Sequence, residues 1–167
     1  IWEVNTDNKK LIALTFDDGP SPTFTEKILD ILKNFNAKAT FFVLGKQAEE
    51  YPEIIRREVS EGHELGNHTY SHREVYRMSE DELKKKLRHA HQVIYNITDV
   101  NMKLFRPTSG YYDKNIVESA KALNYTIIIW TWHLDSKDWT QINGKTIADS
   151  LIKNIKPGSI ILFHDLG

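Results

Sequence analysis

Cysteine is absent from the 167 residues of this chain. That excludes a disulfide framework, and it removes any thiolate from metal binding or catalysis. A secreted bacterial protein and a cytosolic one fit this equally well. An excess of charge is missing too. The formal net charge is -1, so there is no electrostatic footprint for nucleic acid or for an acidic membrane surface. No apolar run approaches the roughly 18 residues of a membrane-spanning helix, which argues against membrane insertion within this chain. No signal peptide precedes Ile1, and position 1 is not Met, as in a processed or trimmed product. Repeats, low-complexity tracts and linkers are lacking as well. With 40% hydrophobic residues, the chain reads as one domain over 1–167, large enough to bury a core without staples.

What is present is an alternation of two patterns. Short apolar runs, rich in β-formers, predict strands at 11–16, 40–44, 63–66, 104–106, 125–132 and 159–163. Several are continuously apolar, as strands buried on both faces are. Amphipathic stretches between them predict helices at 23–35, 52–61, 80–95, 114–123 and 146–155. The first puts Ile28, Leu29, Ile31, Leu32 and Phe35 on one side, and Ser79 with Glu82 makes a capping box for the third. Strict alternation argues for a parallel α/β sheet or barrel.

In such folds ligands gather at the carboxyl ends of strands. Polar groups stand at that end of five segments: Asp17-Asp18, His68, Arg106, Asp135–Trp139 and His164. Adjacent carboxylates on a regular strand point to opposite faces, so Asp17 and Asp18 can share a site only if the strand breaks there. Gly19-Pro20 supplies the break. A carboxylate with the pair His68 and His72 is the stuff of a hydrolytic divalent-metal site. The spacing His-x-x-x-His would place two imidazoles on one face of a helix, but Thr69 stands where the zincin motif needs Glu. His89 and His91, in a run with Lys84, Lys85, Lys86 and Arg88, read as solvated surface.

Taken in order, TFDDGP at 15–20, HTYSH at 68–72, RPTSG at 106–110, DSKDW at 135–139 and IILFH at 160–164 resemble the motifs of the polysaccharide deacetylase family. These are carbohydrate esterases with the NodB homology domain, and the likeness runs from about Lys10 to Asp165. The resemblance implies a distorted, incomplete (β/α) barrel of about seven parallel strands. It also implies a divalent metal, zinc or else cobalt or nickel, on Asp18, His68 and His72. Asp17 becomes the general base toward an activated water, Arg106 the cation that keeps Asp17 ionised and aimed, His164 the general acid, and Asp138 the carboxylate that orients His164. Leu162 and Trp139 match the positions that wall an acetyl pocket, and the main-chain N–H of Ser109 the oxyanion donor.

Two features depart from the family pattern. The loop commonly reads Arg-Pro-Pro-Tyr-Gly, whereas here Thr108 and Ser109 replace the second Pro and the Tyr. The N–H survives, but a ring is lost from the sugar groove, and Tyr111 or Tyr112 would line it instead. The chain also stops at Gly167, where relatives add a further helix and strand, so an open barrel edge is expected. The implied activity is hydrolytic removal of N-acetyl groups from an aminosugar polymer, peptidoglycan or chitin-type oligomers, outside the cell or at the wall. The alternatives are a carbohydrate O-acetyl esterase and a glycan-binding module without catalysis. No oligomeric state follows from the sequence.

Overall fold

Apolar runs too short for helices become one parallel sheet, and the amphipathic stretches become the helices that cross over between its strands. In a computed structural model that describes every residue except Asn8, Glu74 and Gly167, the strands are β1 (Ala13–Asp17), β2 (Thr40–Val43), β3 (Glu64–Asn67), β4 (Leu104–Phe105), β5 (Thr126–Ile127) and β6 (Ile160–His164). The helices are α1 (Thr25–Asn34), α2 (Gly45–Glu50), α3 (Pro52–Ser60), α4 (Glu80–Thr98), α5 (Lys114–Ala122) and α6 (Gly144–Asn154). The spatial order β5-β4-β3-β2-β1-β6 makes a curled, all-parallel, incomplete (β/α) barrel. Helix α2 is not foreshadowed by the sequence pattern, because one and a half turns hold too few residues to show a period.

The core lies between sheet and helices. Phe41, Leu29, Ile55, Leu65, Leu87 and Phe105 are essentially inaccessible, and each such side chain contributes about 1.5–3 kcal/mol by leaving water. Helix α4 packs through Leu83, Leu87, Ala90 and Ile94, spaced three and four apart as one helical face requires. The Ser79 hydroxyl accepts the Glu82 N–H at 3.3 Å to start it. Helix α1 buries less than its pattern promises. Leu29 and Leu32 are covered, whereas Ile31 and Phe35 face solvent, because the apolar stripe is wider than the face the helix buries.

Two further expectations change on folding. The stretch expected as a strand over 125–132 pairs with β4 only through Thr126 and Ile127. It then leaves β4 and runs to β6, where Thr131 N–H donates to Ile160 O and Asp135 forms an isolated parallel bridge with Leu162. The edge of β6 that was expected to be open is therefore bonded along residues 131–136, beside a sheet of six strands. The histidines of α4 are not simply solvated: His89 stacks on Tyr70 with ring centroids 4.4 Å apart, and half-buried His91 has Nδ1 2.7 Å from the Tyr125 hydroxyl.

Candidate active site

The register of three strands brings the key side chains together. Asp17 pairs with His164 across β1 and β6 and with Phe42 across β1 and β2. Thr15, two residues earlier, shares its face. Strand β1 ends at Asp17, and Asp18 takes a left-handed backbone conformation, φ +79. That turn is how two consecutive carboxylates come to serve one cavity.

Arg106 follows β4 and lies inside the barrel, fully buried. Its Nη1 donates to Asp17 Oδ1 at 2.7 Å and to Thr15 Oγ1 at 2.8 Å, and its Nε donates to Ile128 O at 3.2 Å. The Phe42 ring lies 4.1 Å beneath the guanidinium. The carbonyl of Ile128, released where the chain leaves β4, is thus used by Arg106. Burial pulls the guanidinium below its usual pKa and Asp17 opposes that pull; Arg stays charged in proteins regardless. Breaking such a buried pair is costly, because it leaves one charge uncompensated.

His68 follows β3, and His72 comes four residues later in a loop. They reach the cavity through left-handed turns at Thr69, φ +72, and His72, φ +43, not along a helix as the spacing alone suggests. His68 Nδ1 is 2.8 Å from the main-chain O of Arg106. A carbonyl only accepts, so Nδ1 carries the proton and Nε2 presents a lone pair. That lone pair points at Asp18 Oδ1, 3.3 Å away, and His72 Nε2 lies 3.3 Å from the same oxygen. Asp18 Oδ1 is nevertheless buried without a hydrogen-bond partner.

These three acceptor atoms lie within 4.8 Å of one another. With His68 neutral, its Nε2 lone pair converges with a carboxylate oxygen and a second imidazole nitrogen, a donor set that fits a divalent cation, and two nitrogens with one oxygen suit zinc, cobalt or nickel. Burial raises the Asp18 carboxyl, but His68, His72 and His164 outweigh it and hold the group below its ordinary pKa. For His68, burial pulls down while Asp17 and Asp18 pull up more strongly. Its side chain is 2% exposed against 44% for His72, so solvent or a ligand enters from the His72 side.

Across the cavity, Asp138 grips His164 twice: Oδ2 accepts the His164 main-chain N–H at 2.8 Å, and Oδ1 lies 2.7 Å from Nδ1. Nε2 is left to face the cavity. Burial lowers the pKa of His164, but the Asp138 carboxylate, with Asp17 and Asp18 behind it, more than offsets this and holds the imidazole above its usual value. Asp138 itself is pushed up by burial and brought below the usual carboxylate range by His164.

The cavity between these groups measures about 410 Å³ and is lined by Asp17, Asp18, His68, His72 and His164. Ser109, Trp139 and Leu162 also line it. Leu162 is buried, whereas Trp139 is 66% exposed and stands as a rim. Arg106 and Asp138 sit one layer back. Tyr111 does not line this cavity; it lies against Tyr76 in an edge contact, centroids 5.4 Å apart. A larger cavity of about 780 Å³ adjoins the first through Trp130 and Asp135. It contains none of the clustered ligand atoms of Asp18, His68 and His72, which all line the smaller one. Thr15 and Trp130 were not anticipated as site residues. Thr15 is legible in hindsight from the period-two face it shares with Asp17, but nothing in the sequence marks Trp130.

Fold and site together define a class: a parallel (β/α) barrel with a metal-type donor set, a free carboxylate and an anchored imidazole at the carboxyl ends of its strands. The polysaccharide deacetylase family model matches residues 4–128. The chain is 37% identical, over 99% of its length, to a peptidoglycan-N-acetylglucosamine deacetylase of Bacillus cereus, covering 77% of that protein. It also superposes on the crystal structure of a peptidoglycan N-acetylglucosamine deacetylase in complex with 4-naphthalen-1-yl-N-oxidanyl-benzamide. There the TM-score is 0.91 and the identity 41%, over 95% of this chain and 73% of that one. A Bacillus anthracis pseudoenzyme of carbohydrate esterase family 4 matches as well in shape, with a TM-score of 0.92 at 29% identity, over 100% of this chain and 58% of that one. This chain belongs to the polysaccharide deacetylase family. The family match stops before Asp138 and His164, so their membership of the site rests on the geometry above.

Proposed function

We propose that residues 1–167 form a single domain that removes N-acetyl groups from an aminosugar polymer by metal-dependent hydrolysis. One observation carries the reading: ligand atoms of Asp18, His68 and His72 converge within 4.8 Å of one another beside a carboxylate, Asp17, that takes no part in the cluster and is tied to a buried arginine. Asp18, His68 and His72 would hold the cation. When bound, a divalent cation polarises a carbonyl as a Lewis acid and makes water a nucleophile near neutral pH.

The chain's own residues supply the rest. Asp17 Oδ1 is committed to Arg106, so Oδ2 accepts the proton of the attacking water. Arg106 keeps that carboxylate ionised and fixes its direction. His164 Nε2 then delivers a proton to the departing nitrogen, without which an amine is a poor leaving group. Asp138 keeps the His164 proton in place on Nδ1 and stabilises the imidazolium. Ser109 at the cavity wall would offer its main-chain N–H to the developing oxyanion. Leu162 and Trp139 would bound the space for the acetyl methyl.

Relatives named for peptidoglycan deacetylation support that polymer as the first substrate and the cell wall or extracellular space as the place of action. Chitin-type oligomers present the same N-acetyl group. The likeness to a pseudoenzyme shows that shape alone does not decide activity. What favours catalysis is that the proposed base, donor set and acid line one cavity here, with the orienting carboxylate of Asp138 directly behind His164.

The test is acetate release from peptidoglycan, N-acetylglucosamine oligomers and acetylxylan, with a chelator and after zinc or cobalt add-back. Release from the first two that is lost with chelator and restored by metal is expected. Release from acetylxylan alone points to an O-acetyl esterase. Binding to the polymers with no acetate from any of them points to a glycan-binding module.

A further inference from the structure

The left-handed turn at Asp18 is an unfavourable conformation for a residue with a side chain and persists only if its flanks hold it. On one flank Asp18 N–H donates to Phe42 O at 3.2 Å and Leu44 N–H donates to Gly19 O at 3.1 Å. On the other stands Asp165, a buried carboxylate outside the set of expected site residues. Its Oδ1 accepts the Gly19 N–H at 3.0 Å, and its own N–H donates to Asp17 O at 3.1 Å. Its Oδ2 accepts the Thr25 hydroxyl at 2.6 Å, and Thr25 Oγ1 in turn accepts the Ser21 N–H at 2.7 Å. One residue therefore ties together both ends of the turn and the start of α1, its main chain holding Asp17 and its carboxyl holding Gly19 and Thr25. The fit is close: a Cβ on residue 19 would come within 2.1 Å of Asp165 Oδ2, so Gly19 and Asp165 require each other.

We infer that Asp165 is a positioning residue that holds the Asp17-Asp18-Gly19 turn and thereby sets where the base and the ligand carboxylate point. It adjoins His164 in sequence, so one strand end would carry both the acid and the clamp. The inference rests on the reading of Asp17 and Asp18 given above. It is tested by a quantity that does not depend on turnover.

The experiment is a zinc competition titration against a chromogenic chelator, on protein whose fold is checked by circular dichroism. Asp165→Ala removes the acceptor for Gly19 N–H and should weaken zinc binding by about 10- to 100-fold, the range typical of losing an outer-shell partner. Asp165→Asn keeps an oxygen for Gly19 and should stay within about threefold of the parent. Glu58→Gln, which alters a buried carboxyl within electrostatic reach of Asp165 but without a hydrogen bond to the turn, should leave zinc affinity unchanged and so separates the clamp's hydrogen bonds from its charge. Near-normal affinity in folded Asp165→Ala overturns the clamp, as does an equal loss in Asp165→Asn or Glu58→Gln. If Asp165→Ala does not fold, Thr25→Val decides, since it unties Oδ2 and the Ser21 N–H while leaving the Gly19 bond to Oδ1 in place. A several-fold loss there supports the clamp and an unchanged affinity overturns it. Acetate release by the parent protein, measured separately, reports on the proposed reaction itself.

Discussion

Two imidazoles face one cavity with their Nδ1 atoms anchored, and they differ in what anchors them. His68 is held by a neutral main-chain carbonyl, that of Arg106, and His164 by the carboxylate of Asp138. A carbonyl fixes the tautomer without adding a full charge, which leaves Nε2 as a lone-pair donor toward a cation. A carboxylate favours the imidazolium, which makes Nε2 a proton donor. The sequence motifs show two histidines of the same kind; their partners suit them to the opposite work proposed above. His68 also feels Asp17 and Asp18, which raise its pKa against burial. Those are the charges a cation would neutralise, so proton and metal compete for one place.

Replacing each imidazole breaks the comparison most severely. His164→Ala should keep zinc affinity and lose turnover by roughly 10²–10⁴-fold, with larger losses on amides than on activated esters. His68→Ala should lose zinc affinity by more than the roughly 100-fold that an outer-shell change costs. Zinc titration and acetate release on both variants check this. Equal zinc loss in the two would end the division of labour.

Arg106 serves both sides, since its carbonyl anchors His68 and its guanidinium anchors Asp17. Arg106→Ala leaves the Asp17 charge buried without its partner and should destabilise the fold by about 3–5 kcal/mol in denaturant titrations. A loss below about 1 kcal/mol would show that solvent already screens the pair.

The smallest effect sharpens the comparison by pH. His164 has a raised folded pKa, so its proton, and the stability linked to it, are present below the unfolded value and are lost as pH rises through the folded one. Asp138→Asn removes the charge that raises it. The alkaline fall in kcat should then move to lower pH, and an unmoved profile would detach Asp138 from His164. On the other side the sign is reversed in its consequence: protonating His68 opposes metal, so zinc affinity should fall as pH drops through that group's raised pKa.

Much of this was legible in the residues. The strand break at Gly19-Pro20 announced that Asp17 and Asp18 could share a site, because the period of a strand otherwise separates them. The alternation of apolar and amphipathic runs announced a parallel α/β sheet or barrel, and the family resemblance pointed to the barrel. What escaped notice depends on tertiary routing. The crossing of residues 131–136 from β4 to β6 looks, in sequence, like the middle of a single strand. The loop carrying His68 and His72 has helical spacing but left-handed turns, which only the surrounding contacts stabilise. The burial of Asp165 could not be read from a residue type that is usually exposed, and its role needs Gly19 and Thr25, some 140 residues away, to be seen beside it.

The account turns on Asp17 acting as base next to a cation it does not hold. Zinc affinity and acetate release measured on the same Asp17→Asn preparation test that directly. Zinc bound about as tightly as in the parent, with turnover down by roughly 10²–10⁴-fold, is the expected pair of results. Near-parental acetate release, or loss of zinc in step with activity, would contradict it.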